Sequence, residues 1–116
     1  MKLLVAGSRS IREYDLGRHV PADTTLIITG GAEGIDTLAE TYADEKRLSK
    51  LILRPQYERY GKSAPLKRNE KMVELCDTVL IVWDGCSRGT EYTLKYAQKI
   101  GKNVILIQES PKVKNP

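Results

Sequence analysis

Apolar residues gather in five short continuous runs: Lys2 to Ala6, Thr25 to Thr29, Leu51 to Leu53, Thr78 to Trp83 and Asn103 to Ile107. None alternates with polar residues, and continuous runs of this length are the pattern of strands buried on both faces of a parallel sheet. Between them the period changes. Ile35, Leu38, Ala39, Tyr42 and Ala43 recur at helical spacing, as do Met72, Val73 and Cys76 behind Asn69. Thr93, Tyr96, Ala97 and Ile100 form a further stripe, which Gly101 ends. Residues falling three and four apart share one face of a helix, and a glycine just past the last of them is a common stop. The pattern also predicts a short helix over residues 10–19 and a third, weak strand stopped by Pro55. Gln56 to Pro65 reads as a polar loop, and Glu109 to Pro116 as a polar tail. Strands alternating with helices give right-handed crossovers and a parallel sheet. The expected fold is therefore α/β: one three-layer domain over residues 1–108, about five parallel strands with helices on both faces.

In such sheets ligands sit at the carboxyl ends of the strands, near the point where strand order reverses. The loops that fall there are Gly7-Ser8-Arg9, Thr29 to Gly34, Arg54 to Lys62 and Asp84 to Thr90. They hold most of the residues able to do chemistry. Thr29, Gly30, Gly31 and Gly34 lie between a strand and a helix, where glycine permits a sharp turn or a close approach to a ligand. The helix start that follows favours an anion, so this turn is a candidate phosphate cradle, or else a plain strand-to-helix connection. Gly7 lets the chain turn, Ser8 can donate to a phosphate oxygen, and Arg9 can grip one with its fork. Asp36 suits the first turn of its helix as a dipole partner, and can also orient Arg9 or a ribose hydroxyl. Arg68 and Asn69 head the third helical stripe, where an amide needs partners. Ser87, Gly89 and Thr90 form a second glycine-bearing turn before a helix. Glu91, Asp36 and Arg68 are the candidates for any catalytic role.

The chain has 116 residues, 29% of them charged, with a net charge of +4, which suits a soluble single domain and permits anionic partners. Cys76 and Cys86 are too far apart for a paired metal site, and His19 is the one histidine, so a structural zinc is not expected. No metal or cofactor is called for. No run is long enough for a membrane span, the first residues are too short for a signal-peptide core, and a cytoplasmic location with reduced thiols is expected.

With these motifs in place the chain resembles the SLOG superfamily of Rossmann-like nucleotide-binding proteins, in particular its small YspA-like branch. The resemblance rests on Gly7-Ser8-Arg9, Gly30 to Asp36, Gly61 to Met72 and Gly85 to Thr90, in that order along nearly the whole chain. It implies a Rossmann-like domain that binds a small nucleotide or nucleotide-derived ligand of the AMP, ADP-ribose or NAD type, as sensor, carrier or sequestering protein. Two related groups share pieces. The LOG phosphoribohydrolases are similar at Arg68, Met72 and Gly89-Thr90, which implies N-glycosidic hydrolysis as the alternative. Their catalytic GT-x-x-E places a glutamate where this chain has Thr93, and Glu91 falls two residues early. DprA is similar at Gly34-Ile35-Asp36, Arg68-Asn69 and Gly89-Thr90, which implies single-stranded DNA binding as a third reading. Tyr92, Leu94 and Leu75, lying off the inner stripes, together with the assemblies of related proteins, lead to the expectation of a homo-oligomer.

Overall fold

A computed structural model describes residues 1–110. Five strands, β1 (Lys2–Gly7), β2 (Leu26–Thr29), β3 (Ser49–Ile52), β4 (Thr78–Trp83) and β5 (Asn103–Gln108), form one parallel sheet in the order β3-β2-β1-β4-β5. The helices are α1 (Ile35–Glu45), the single-turn α2 (Tyr57–Tyr60), α3 (Ala64–Leu75) and α4 (Arg88–Lys99). The chain builds the sheet outward from β1 to β3, returns across it, and continues from β4 to β5. Strand order therefore reverses between β1 and β4, whose register pairs Gly7 with Val82. This is a Rossmann-like α/β domain.

Alternation along the strands divides the core. Leu3, Val5, Ile27, Leu80 and Val82 face Ile35, Ala39 and Ala43 of α1. Leu4, Ala6, Ile28, Val79 and Ile81 face Met72, Val73 and Cys76 of α3 and Leu94 and Ala97 of α4. Each of the Val, Leu, Ile and Met side chains among them contributes about 1.5–3 kcal/mol when fully withdrawn from water. Both faces of the sheet are thus covered, as the continuous apolar runs require.

Three segments depart from expectation. Residues 10–19 contain only a 3-10 turn at Leu16–Arg18. Their two buried anchors, Ile11 and Leu16, are five residues apart and share no helix face, so a loop laid across the core buries both. The strand after α1 begins at Ser49, because its backbone pairs with Leu26 while its side chains stay exposed at the sheet edge. The stretch 56–65 is not a plain loop: α2 and a 3-10 turn at Gly61–Ser63 lead into α3, with Pro65 in that helix's first turn. Proline there loses no helical hydrogen bond.

The residues behind the expected assembly are engaged within the chain. Leu94 is buried in the core and Leu75 packs against it. The Tyr92 hydroxyl donates to the Glu70 carboxylate. Residues 111–116 of the expected tail lie outside the described residues, while Glu109 extends the sheet by donating to Trp83 O at 2.9 Å. Among the described residues no helix is long and apolar enough to cross a membrane.

Candidate functional site

At the reversal between β1 and β4 lies a cavity of about 460 Å³. Eight of the residues singled out above line it: Gly7, Arg9, Asp36, Arg68, Asn69, Ser87, Gly89 and Thr90. They come from the end of β1 and the residues after it, the first turn of α1, the second turn of α3 and the start of α4.

The α4 side is the most open to an anion. Ser87 accepts from Glu91 N at 3.1 Å, which starts the helix. The N–H groups of Arg88, Gly89 and Thr90 find no acceptor among the described residues, as the geometry of a first helical turn dictates. Nothing stands within 4 Å of where a Gly89 side chain would project, so the turn is uncovered. Ser87 Oγ and the buried Thr90 Oγ1 lie 3.0 Å apart beside it.

Asp84 organises this turn, and together with Ser10 it was missed as a site residue. Its Oδ1 accepts from Cys86 N and Ser87 N, both at 2.8 Å, and its Oδ2 from Ser10 Oγ at 2.8 Å. Burial pushes its carboxyl up, but these backbone donors and the Ser10 and Ser8 hydroxyls outweigh it and hold it at about 2. The signal was the Asp84-Gly85 pair: an aspartate that bonds the backbone two residues on, followed by a glycine at φ 85°.

Other predicted residues serve the frame of the cavity. Ser8 is fully buried, and its Oγ accepts from Asp84 N at 2.9 Å, joining the ends of β1 and β4. A side chain on Gly34 would lie 2.4 Å from Ser8 O, and one on Gly7 would lie 2.3 Å from Val82 O. Both glycines therefore let α1 start directly against the strand ends. Ser8 and Gly34 do not line the cavity.

The Thr29–Gly34 turn, expected as a phosphate cradle or a plain strand-to-helix connection, is occupied by the chain's own arginines. Arg68 Nη1 donates to Gly30 O at 2.9 Å and to Leu53 O at 3.2 Å, and Arg68 Nε donates to Asn69 Oδ1 at 2.8 Å. Arg54 Nη1 donates to Gly31 O at 3.3 Å. The space beside Gly30 and Gly31 is filled by these two guanidiniums. Thr29 is buried with its hydroxyl unpartnered, on the α1 side of the sheet. None of Thr29, Gly30 and Gly31 lines the cavity.

Asp36, only 7% exposed, does line it, and its Oδ2 accepts from Ala32 N at 3.2 Å. Burial raises its carboxyl above the usual range, against the pull of Ala32 N–H, Arg68 and Arg9. Burial likewise lowers Arg68, and Arg9 and Arg54 push it the same way. Arg68 and Arg9 thus act on a reluctant carboxylate in a wall that also carries the readily ionised Asp84.

Glu91, a catalytic candidate, is not among the residues that line the cavity. It points away from the cavity and pairs with Lys95 at 3.3 Å on the outer face of α4. Thr93 stands in the wall instead, its hydroxyl donating to Gly89 O at 3.1 Å. Trp83 is outside the cavity too, its Nε1 donating to Ser87 O at 3.0 Å, where it braces the α4 turn.

Fold and crevice together define a Rossmann-like domain with a polar cavity at its strand-order reversal. The chain belongs to the family of the Gene 61 protein of Mycobacterium phage D29, to which it is 32% identical over 123 aligned positions, covering 95% of this chain and 98% of that protein. No family model matches the chain, and no solved structure matches it.

Proposed function

We propose that this protein binds a small nucleotide or nucleotide-derived ligand of the AMP, ADP-ribose or NAD type, with a phosphate on the α4 turn. The observation that carries the reading is the open first turn of α4: Ser87, Gly89 and Thr90 line a cavity that Arg9 and Arg68 also line, and the leading N–H groups of the helix precede its first bond, from Glu91 N to Ser87 O. A helix start with free amides and a nearby guanidinium is a strong anion site. Ser87 and Thr90 add hydroxyl donors, and Asp36 offers a carboxylate to a ribose hydroxyl. The order of motifs shared with the SLOG superfamily supports the same reading, with the phosphate placed on the α4 turn and not on the Gly30-Gly31 turn. The protein then acts as a sensor, carrier or sequestering protein in the cytoplasm.

Hydrolysis of the N-glycosidic bond is the second reading, and one observation favours it: Asp36 is a buried carboxylate with a raised pKa in the cavity wall. Perturbed carboxylates of this kind are common among catalytic bases. A thermal-shift screen of AMP, ADP-ribose and NAD, followed by chromatography of each hit, separates the two. Binding predicts a rise in unfolding temperature with the nucleotide recovered intact. Release of free base would assign hydrolysis, and loss of that release in Asp36→Asn would make Asp36 the base. No shift with any of the three would overturn the nucleotide reading.

A further inference from the structure

A second cavity, of about 350 Å³, shares only Arg68 with the first. Its wall carries Arg59 from α2 and Lys67, Arg68 and Lys71 from α3, beside Gln56 and Tyr60. No carboxylate lines it. Lys67 meets an acid only at 3.9 Å, in Glu70, and Arg59 and Lys71 make no ion pair among the described residues. The exposed Arg59 guanidinium rests over the Tyr60 ring, 5.1 Å from its centre, and both residues line the cavity.

The charge of the whole chain concentrates here. Residues 51–71 contain six Lys and Arg against two Glu, an excess equal to the +4 of the entire protein. Everything outside this segment is balanced. A solvated surface needs no such concentration, and like charges around one hollow repel unless an anion joins them. Arg59 presents a planar fork, and the two lysines present point charges from successive turns of α3. One monoanion would leave most of these donors unmatched, whereas adjoining phosphate groups would match them.

We propose that this cavity is a separate binding site for a multiply charged phosphate group, the phosphoanhydride chain of a nucleotide polyphosphate or of inorganic pyrophosphate. It stands independently of what the larger cavity binds. Lys67 and Lys71 are exposed on α3, so replacing them leaves the core intact.

The test is calorimetry with inorganic pyrophosphate at low ionic strength, on the wild type, on Lys67→Gln/Lys71→Gln and on Arg59→Gln, which alters the other wall. Saturable binding is expected in the wild type, weakened at least about tenfold in the double variant and clearly reduced in Arg59→Gln, the scale of lost charge-assisted contacts. Circular dichroism checks that all three chains are folded. Absence of saturable binding in the wild type would overturn the proposal, as would equal affinity in the folded variants. Competitive displacement of pyrophosphate by AMP, with the variants unaffected, would assign it to the larger cavity and overturn the proposal equally.

Discussion

Replacing Arg68 by methionine keeps an unbranched stem on α3 and removes the guanidinium. Two hydrogen bonds from Nη1 disappear, to Gly30 O and Leu53 O, along with the one from Nε to Asn69. Hydrogen bonds from charged donors are worth about 1.5–3 kcal/mol each at full burial. Arg68 is only half-buried and water can reach part of the gap, so the sum falls to about 2–4 kcal/mol. Part of the loss passes through Asp36, whose carboxylate loses the larger of its two coulombic pulls toward ionisation. A carboxyl harder to ionise folded than unfolded keeps its proton longer in the native state, so it subtracts stability as pH rises above its ordinary 3.8. Without Arg68 that subtraction grows. The destabilisation should therefore be larger at neutral pH than near pH 4. Urea unfolding at both values, at one ionic strength, measures it. In a double-mutant cycle, Asp36→Asn on the Arg68→Met background should cost less than Asp36→Asn alone. A neutral-pH loss below about 0.5 kcal/mol would refute the account, because surface substitutions alone reach that size. A loss independent of pH, with additive mutations, would refute the coupling to Asp36.

Asp84→Asn should reduce stability at neutral pH by about 1–2 kcal/mol, since three donors lose a charged acceptor. The native carboxyl sits at about 2 against an ordinary 3.8. Its contribution is therefore complete above 3.8 and lost as pH falls toward 2, so the variant's stability curve should be flatter across that window in acid titration. Gly7→Ala should destabilise by about 2–4 kcal/mol, because the new atom meets Val82 O at 2.3 Å and Ile35 Cγ1 at 2.6 Å. A thermal midpoint equal to wild type would show that the strand end can yield. If the ligand is a single nucleotide, oligothymidylate binding should stay weak at physiological salt. A steep fall of sub-micromolar oligonucleotide affinity with salt would favour a strand of DNA instead.

The sheet was legible because both its faces are buried. A run such as Thr78 to Trp83, five of six residues buried, leaves no other arrangement. The helices were legible where an apolar stripe was long, as in α1. They were not legible at 57–60, where the helix buries no residue and is held by backbone bonds to Gln56 O. Arg9, Asp36, Ser87, Gly89 and Thr90 were found as cavity residues because topology places the strand-end loops and the helix starts after them at one end of the sheet, and Arg68 and Asn69 because an amide in line with an apolar helical stripe needs partners. What pattern could not supply was which glycine turn stays open. Gly30 and Gly31 look like the better cradle by spacing. Filling them depends on Arg54 at Gly31 and Arg68 at Gly30, 23 and 38 residues further along, reaching back to the turn. Glu91 failed for the opposite reason: it starts the right helix but lies on its outer face, where Lys95 waits one turn on.

The central claim is that a nucleotide phosphate sits on the first turn of α4. The direct measurement is a titration of uniformly nitrogen-15-labelled protein with ADP-ribose, AMP and NAD, followed by amide proton–nitrogen correlation spectra. The largest shifts are expected at the amides of Arg88, Gly89 and Thr90, with smaller ones at Gly7, Arg9 and Asp36. Shifts centred on Gly30 and Gly31, or none at the α4 turn with a nucleotide bound, would contradict it.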